Sequence, residues 1–291
     1  MHAIMYTTLI QVAELAALLE REPQADASVV VLDCRHELSQ PEWSDRAYAA
    51  GHIPTAVQAH LDRDLSGPVT PTSGRHPLPD VTAFAETLGR WGIDNTVQVV
   101  AYDQGNGVYA ARAWWLLRWV GHSAVAVLDG GFAAWQEAGL RVSHDAPARA
   151  PRRFVPHVAA GAALSTAEVE QALMRNEIAL VDARGADRFR GENETIDPVA
   201  GHVPGATNRP FGKNVDGRGR FLPAAELRRQ WTEALAGRDA REVVAMCGSG
   251  VSACHNLLAL EIAGLSGARL YAGSWSEWIR DPRRPIARGP A

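Results

Sequence analysis

The chain is poor in cysteine: its 291 residues include only Cys34, Cys247 and Cys254. Three thiols cannot form a disulfide framework, and such sparse use is typical of proteins in a reducing compartment. The sequence therefore favours a cytoplasmic protein with few, potentially reactive thiols. No apolar run approaches the roughly 18 residues that a membrane helix needs, so no membrane association is expected.

The sequence also lacks an excess of positive charge. It has 29 Lys and Arg against 33 Asp and Glu, a net charge of −4, which gives no electrostatic reason to expect a nucleic acid partner. The first twenty residues lack a basic segment ahead of an apolar run and a small-residue cleavage site. We expect them to begin a folded domain and not a signal peptide. With 46% hydrophobic residues, the composition is that of a globular protein of one large or two medium domains.

The sequence repeats itself once. Four blocks recur in the same order, the first two after 149 and 150 residues: Val29–Arg35 as Ile178–Arg184, Gly51–Ala56 as Gly201–Ala206, Val99–Asp103 as Val243–Cys247, and Gly130–Trp135 as Gly273–Trp278. A period this long excludes a solenoid and indicates a duplicated domain. We predict an N-terminal domain over residues 1–143, a Pro-, Ala- and Arg-rich linker over 144–162, and a C-terminal domain over 163–291.

Short apolar runs alternate with helical patterns in each copy. The runs predict buried strands at Val29–Asp33, Val97–Asp103, Ala124–Asp129, Ile178–Asp182, Glu242–Cys247 and Arg269–Tyr271. Helices are predicted at Thr8–Glu20, Val81–Trp91, Val108–Val120, Ser165–Arg175, Pro223–Leu235 and Val251–Ala263. This alternation predicts an α/β fold with an open, mostly parallel sheet flanked by helices in each copy. Ligands of such sheets bind beyond the carboxyl ends of the strands.

The two copies differ at the end of one matched strand, where the first has Asp103 and the second has Cys247. Cys247 opens the sequence Cys-Gly-Ser-Gly-Val-Ser, a glycine-rich turn that enters a predicted helix. Backbone N–H groups of such a turn and the positive helix N-terminus stabilise a thiolate. Cys247 is therefore a candidate nucleophile, and a buried structural cysteine is the alternative.

The loop at Cys247, the two Gly-His-(Ile/Val)-Pro segments, Leu-Asp-Gly-Gly at 128–131 and Gly-Ser-Trp-Ser-Glu-Trp at 273–278 resemble the tandem-domain rhodanese-type sulfurtransferases. The resemblance is closer to their 3-mercaptopyruvate branch. It implies two rhodanese-like domains, of which the N-terminal one is catalytically inactive and carries an acidic residue, here Asp103. It also implies sulfur transfer through a Cys247 persulfide, from a small-molecule donor to a thiol, cyanide or thioredoxin-like acceptor, with no metal and no organic cofactor.

The cysteine loop bears on the choice of donor. Thiosulfate-preferring members resemble Cys-Arg-Lys-Gly-Val-Thr, whereas Gly248 and Ser249 replace the two cations here. A loop without cations favours a singly charged mercapto-acid over dianionic thiosulfate. Ser249 is then expected beside the sulfur, where its hydroxyl could assist the leaving keto group. The resemblance implies that Asp62 and His76 orient this serine, although on the residues alone both could be ordinary loop residues.

Arg188 matches the family's arginine for the carboxylate or sulfonate of the donor, a task that suits the bidentate guanidinium. A surface ion pair is the alternative for Arg188. Gly248, Gly250 and Val251 are expected to complete the donor site. The chain departs from the family pattern after Gly191, because the second arginine of mercaptopyruvate enzymes is missing from residues 192–198. A thiosulfate-preferring rhodanese therefore remains an alternative.

Two other functions fit the sequence less well. A cysteine phosphatase needs an arginine after five intervening residues, where this chain has Ala253. A redox or binding module would join Cys247 to Cys254, but Cys254 falls in the first turns of the predicted helix, so a disulfide would require unwinding. His52 and His202 match no common zinc spacing, and we interpret them as structural corners.

Overall fold

The computed structural model describes residues 5–21 and 28–290. Residues 1–4 of the predicted N-terminal domain and residue 291 of the predicted C-terminal domain lie outside the described residues. Contacts divide the chain into two units. The first comprises Met1–Gly67, Pro79–Ala159 and Gly217–Phe221, and the second comprises Pro68–Leu78, Ala160–Asp216 and Leu222–Ala291. By its contacts, the segment Pro68–Leu78 is therefore part of the second unit.

The first unit is built on a parallel five-stranded sheet. Its strands are β1 (Leu9–Ile10), β2 (Val29–Asp33), β3 (Val57–Gln58), β4 (Gln98–Tyr102) and β5 (Val125–Leu128), in the order β1-β5-β4-β2-β3. Its helices are α1 (Val12–Arg21), α2 (Trp43–Ala49), α3 (Val81–Arg90), α4 (Ala110–Trp119) and α5 (Gly131–Glu137). Every residue of β2 is buried, as expected for a strand covered on both faces.

The second unit repeats this topology. Its strands are β6 (Ala163–Leu164), β7 (Ala179–Asp182), β8 (Thr207–Asn208), β9 (Val243–Met246) and β10 (Arg269–Tyr271), in the order β6-β10-β9-β7-β8 and again all parallel. Its helices are α6 (Thr166–Met174), α7 (Ala186–Arg190), α8 (Ala224–Leu235), α9 (Val251–Ile262) and α10 (Ser274–Trp278), with 3₁₀ turns at Phe211–Asn214 and Ala240–Glu242. Within the described ranges, no helix has the length and apolar character needed to cross a membrane.

The predicted α/β fold is confirmed, and all six predicted strands are present. The predicted helix Thr8–Glu20 was wrong at its start, because residues 9 and 10 form β1, which pairs with β5. Ile10 is buried in that sheet, so the apolar residue that suggested a helical face serves a strand instead. The two-residue strands and the helices of five to seven residues were not predicted, since elements this short show no periodicity.

An Asp-x-Arg clip recurs at the carboxyl end of the matched strands β2 and β7. Arg35 Nη2 lies 2.6 Å from Asp33 Oδ2 and donates to the carbonyl of Gly51 at 2.8 Å. In the second unit, Arg184 Nη2 lies 2.6 Å from Asp182 Oδ2 and donates to the carbonyl of residue 201 at 2.9 Å. Each clip thus ties the start of a Gly-His-(Ile/Val)-Pro segment to the end of a central strand.

The histidines of these segments are structural in their contacts. His52 Nδ1 lies 3.0 Å from the carbonyl of Tyr48, and its ring stacks on that tyrosine. His202 Nδ1 lies 2.8 Å from the carbonyl of Phe189, and its ring stacks on that phenylalanine. These contacts agree with the interpretation of both residues as structural corners.

Candidate active site

Cys247 lies directly after β9, and the helix α9 begins four residues later at Val251. Its Sγ accepts N–H groups from Ser249 at 3.4 Å and from Gly250 at 3.1 Å. Gly250 has a φ of +79°, and a Cβ at this position would lie 2.5 Å from the carbonyl oxygen of Ala272, so the turn requires glycine. The two N–H groups and the adjoining helix N-terminus favour negative charge on the sulfur.

A second segment holds this loop in place. The N–H of Cys247 donates to Ser274 Oγ at 3.0 Å, and its carbonyl accepts the N–H of Trp275 at 3.0 Å. The carbonyl of Gly248 accepts the N–H of Ser276 at 2.9 Å. Ser274 has a φ of +52°, which is rare for a residue other than glycine. The start of α10 is therefore a support of the loop that the sequence interpretation did not identify.

Ser249 and His76 lie together beside the sulfur. The hydroxyl of Ser249 is 2.7 Å from His76 Nδ1, and both side chains are buried. The backbone N–H of Ser249 also donates to Cys247, so the hydroxyl lies within the same turn as the sulfur. A serine hydroxyl bonded to an imidazole can pass a proton to or from a reacting group.

Asp62 belongs to the first unit. Its carboxylate lies 4.0 Å from His36 Nε2 and 3.9 Å from His60 Nδ1, and its side chain is 42% exposed. Within the described part of the chain, these three side chains form a group that could hold a metal ion. However, one ring nitrogen of each histidine already has a hydrogen-bond partner. His60 Nδ1 accepts the N–H of Asp62 at 3.2 Å, and His36 Nδ1 bonds Ser44 Oγ at 3.0 Å. A role of Asp62 in orienting Ser249 stays a prediction.

Arg188, on α7, lies at the cysteine loop in a network of ion pairs. Its Nη2 is 2.8 Å from Glu194 Oε1 and 3.1 Å from Asp197 Oδ2. Both carboxylates are almost completely buried, so these pairs differ from the exposed surface pair that was the alternative for this residue. The same Nη2 lies 3.6 Å from the position that a Cβ of Gly248 would occupy.

Arg75 is a functional candidate that the sequence interpretation missed. Its Nη2 lies 2.8 Å from the position of a Cβ on Gly248, and its Nη1 pairs with Asp197. Its backbone N–H donates to Ser276 Oγ at 3.0 Å. Burial lowers the pKa of Arg75. A second arginine thus reaches the loop from the segment that carries His76, and not from residues 192–198.

The charges around the loop balance. Three guanidinium groups face three carboxylates in one set of ion pairs: Arg75, Arg184 and Arg188 with Asp182, Glu194 and Asp197. Their formal sum is zero. An anionic ligand would therefore meet guanidinium groups that already have carboxylate partners.

The rhodanese-like domain family matches the chain twice, over residues 11–138 and 165–281. The chain is 48% identical to "Probable 3-mercaptopyruvate sulfurtransferase" of Pseudomonas aeruginosa, over 97% of this chain and 98% of that protein. It is 34% identical to "Thiosulfate/3-mercaptopyruvate sulfurtransferase 2" of Arabidopsis thaliana, over 90% and 82% of the two chains. The chain belongs to the tandem-domain rhodanese-type sulfurtransferases.

A solved structure agrees with this family. The crystal structure of SseA from Escherichia coli, described as a 3-mercaptopyruvate sulfotransferase, matches with a TM-score of 0.78 and 31% identity, over 94% of this chain and 100% of that one. The resemblance drawn from the sequence motifs is thereby confirmed. As a rhodanese-type sulfurtransferase, the protein is an enzyme that passes sulfur from a donor to an acceptor.

The first rhodanese-like domain has a carboxylate where the second has the cysteine. Asp103 Oδ1 accepts the N–H groups of Gly105 and Gly107 at 3.0 and 2.9 Å, and Oδ2 accepts those of Tyr109 and Ala110 at 2.9 and 3.4 Å. Burial raises the pKa of Asp103, and the four N–H donors oppose this shift. This loop presents no thiol, and the inactivity of this domain stays a prediction.

The other two cysteines of this sulfurtransferase are buried. Cys34 follows β2, and burial raises the pKa of its thiol well above the usual value. Cys254 lies on α9, where its Sγ donates to the carbonyl of Gly250 at 3.2 Å. Cys247 is also buried, but it alone of the three lies in the glycine-rich turn, where two N–H groups point at its sulfur.

Proposed function

We propose that the protein transfers sulfur from 3-mercaptopyruvate to a thiol through a persulfide on Cys247. The observation that carries this proposal is the sulfur of Cys247 in a turn with two inward N–H groups, beside the 2.7 Å pair of Ser249 and His76. Relatives that carry the name 3-mercaptopyruvate sulfurtransferase support it. The few cysteines of the sequence add a cytoplasmic setting to the proposal.

The first step is an attack of the Cys247 thiolate on the sulfur of the donor. An S–S bond forms, and the C–S bond of mercaptopyruvate breaks, with its electron pair going to the carbon as an enolate of pyruvate. The proton of the donor thiol ends on that carbon, so the products are a cysteine persulfide anion and pyruvate. The N–H groups of Ser249 and Gly250 already point at the sulfur, and little reorganisation is needed.

Ser249 and His76 would manage the proton of this step. As the C–S bond breaks, negative charge develops on the keto oxygen of the leaving group, and a hydroxyl in hydrogen-bond reach stabilises it. His76, bonded to that hydroxyl, can then supply or accept the proton. In this proposal Asp62 helps to orient the pair, as the resemblance implies.

The carboxylate of the donor would bind beside the loop. Arg188 supplies a guanidinium there, and the turn formed by Gly248, Gly250 and Val251 would line the donor next to the sulfur. The arginine recognises a carboxylate through two parallel N–H donors.

The second step returns the enzyme to its thiolate. An acceptor thiolate, cyanide or a reduced thioredoxin-like protein attacks the outer sulfur of the persulfide. The S–S bond breaks, and its electron pair returns to Cys247. With cyanide the product is thiocyanate. With a dithiol protein, the product is first a protein persulfide, which its second thiol resolves to a disulfide and hydrogen sulfide.

Thiosulfate is the second candidate donor, because one relative carries both substrates in its name and Arg75 adds a cation to the site. Attack of the Cys247 thiolate on the outer sulfur of thiosulfate would release sulfite, which needs no proton. We favour mercaptopyruvate because the carboxylates of Glu194 and Asp197 already neutralise the guanidinium groups, and this disfavours a dianion.

Intact mass spectrometry tests the transfer. After incubation with donor alone, the wild-type chain should gain the mass of one sulfur atom. Cys247→Ser should gain none, and the matched variant Cys254→Ser should gain it like the wild type. A wild-type protein that gains no sulfur from either 3-mercaptopyruvate or thiosulfate would refute the proposed function. The ratio of kcat/KM for the two donors then decides between the two candidates.

A further inference from the structure

Asp197 joins two arginines at the cysteine loop. Its Oδ2 lies 3.1 Å from Arg188 Nη2, and its Oδ1 pairs with Arg75 Nη1. The carboxylate is 1% exposed, whereas the side chains of Arg75 and Arg188 are 27% and 19% exposed. A buried carboxylate thus binds the inner side of two guanidinium groups that still reach solvent.

All three groups lie against the same loop residue. From the position that a Cβ of Gly248 would occupy, Arg75 Nη2 is 2.8 Å away, and both Arg188 Nη2 and Asp197 Oδ2 are 3.6 Å away. Gly248 directly follows Cys247, so an anionic group bound by both arginines would lie next to the sulfur. Asp197 Oδ2 is the anion at that place in the structure.

The backbone on both sides of this arrangement is held in place. The N–H of Arg75 donates to Ser276 Oγ at 3.0 Å, and the N–H of Asp197 donates to Glu194 Oε1 at 2.9 Å. Glu194 also accepts from Arg188, so Arg188 keeps one carboxylate partner whatever Asp197 does. Arg75 forms its ion pair with Asp197.

We propose that Arg75 and Arg188 together bind the anionic group of the sulfur donor, and that Asp197 acts as a built-in competing anion that sets the preference for a singly charged donor. This inference rests on the proposed function and adds a donor-binding residue and a specificity-determining residue to it. A donor must share the guanidinium groups with Asp197. A dianion gains more from two free cations than a monoanion does, and it therefore loses more to the competing carboxylate.

Removing the competing charge should change donor choice. In Asp197→Asn the side chain keeps its shape but loses its charge, and KM for thiosulfate should fall by about tenfold, the effect of one gained charge-assisted interaction. KM for 3-mercaptopyruvate should fall by no more than about threefold, since it carries one charge. The kcat values should change little, because Asp197 does not contact the reacting sulfur.

Removing Arg75 should have the opposite effect. Arg75→Gln should raise KM for both donors by about tenfold with a smaller change in kcat, and Arg75→Lys should restore part of the affinity. The matched control is Arg284→Gln. Arg284 is a similarly exposed arginine, 21% against 27%, whose Nε pairs with Glu170 at 3.1 Å elsewhere in the same unit. It should leave both KM values unchanged.

Binding without turnover separates this inference from the proposed function. Isothermal titration of full-length Cys247→Ser with thiosulfate, and in parallel with pyruvate, should show weaker binding when Arg75→Gln is added and tighter thiosulfate binding when Asp197→Asn is added. Melting temperatures establish that each variant is folded. If Asp197→Asn does not fold, Arg75→Gln and Arg75→Lys decide alone.

Two results would overturn the proposal. One is an Arg75→Gln enzyme whose KM values match those of Arg284→Gln. The other is a folded Asp197→Asn enzyme whose relative KM for the two donors equals that of the wild type. In either case, sulfur gain on Cys247 would leave the proposed function standing. Loss of sulfur gain from both donors in the wild type would instead refute the proposed function.

Discussion

Replacing Gly250 by alanine tests whether the turn at Cys247 has the geometry that sulfur chemistry needs. The φ of +79° disfavours any residue with a Cβ by about 1–2 kcal/mol. The added Cβ would also lie 2.5 Å from the carbonyl oxygen of Ala272, a backbone atom that cannot rotate away. The turn must therefore shift, and the N–H of Gly250, now 3.1 Å from the sulfur, must move with it.

We expect Gly250→Ala to lower the free energy of unfolding by more than about 2 kcal/mol, the sum of backbone strain and overlap. We also expect kcat/KM for sulfur transfer to fall by roughly 10²-fold, the usual effect of losing one preorganised N–H donor to a charged reacting atom. Denaturant unfolding gives the first quantity, and initial rates with 3-mercaptopyruvate and excess thiol give the second.

Gly237 provides the matched control. Its φ is +90°, and a Cβ there would have no heavy atom within 4 Å, so Gly237→Ala isolates the backbone contribution. It should lose about 1 kcal/mol of stability and keep full activity. If Gly250→Ala transfers sulfur within about twofold of Gly237→Ala, the turn does not position the N–H donor as argued, and the reasoning from geometry fails.

Three further predictions address separate features. Ser249→Ala should lower kcat with 3-mercaptopyruvate by about 10²-fold, but it should lower kcat with thiosulfate only a few-fold, because sulfite leaves without a proton. Equal losses of kcat with both donors in steady-state assays would contradict this. Asp182→Asn should reduce the free energy of unfolding by about 3 kcal/mol in urea titrations, because it removes the charge of the closest partner of buried Arg184. A change below about 0.5 kcal/mol would show that the Asp-x-Arg clip does not stabilise the fold. Cys254→Ala should transfer sulfur like the wild type, and peptide maps of mildly oxidised wild-type protein should lack a Cys247–Cys254 disulfide. A Cys247–Cys254 disulfide in those maps would favour the alternative function as a redox or binding module.

Much of the fold was predictable because the sequence encodes the same fold twice, once in each unit. Buried parallel strands such as β2 and β9 are continuous apolar runs, and such runs can be recognised in the sequence without any tertiary information. The start of the first helix was mispredicted because only one residue separates Leu9–Ile10 from α1, so the strand and the helix face form one continuous apolar pattern. Only the pairing of β1 with β5 separates them, and that is a long-range contact.

The candidate site was predictable to the extent that local sequence encodes it. The glycines that follow Cys247 indicate the turn, and Ser249 lies within it. Arg75 was not predictable in this way, because it lies close to Gly248 only through the packing of Pro68–Leu78 into the second unit. The only local signal was its position directly before His76. Residues 192–200 contain no Lys or Arg, so that segment gives no sign of the second arginine.

The paired loops after β4 and β9 suggest how one copy of this fold carries a fixed anion and the other a reactive one. The carboxylate of Asp103 takes four backbone N–H groups, so the anion-binding capacity of its loop is used by its own side chain. The sulfur of Cys247 takes two, at the longer distances usual for sulfur. A persulfide extends one atom further than the thiolate, and its terminal sulfur carries the charge. A turn that binds the inner sulfur through only two N–H groups retains more freedom for an outer sulfur to react than a turn closed around a carboxylate. On this argument, an aspartate at position 247 would leave the fold intact and remove transfer completely.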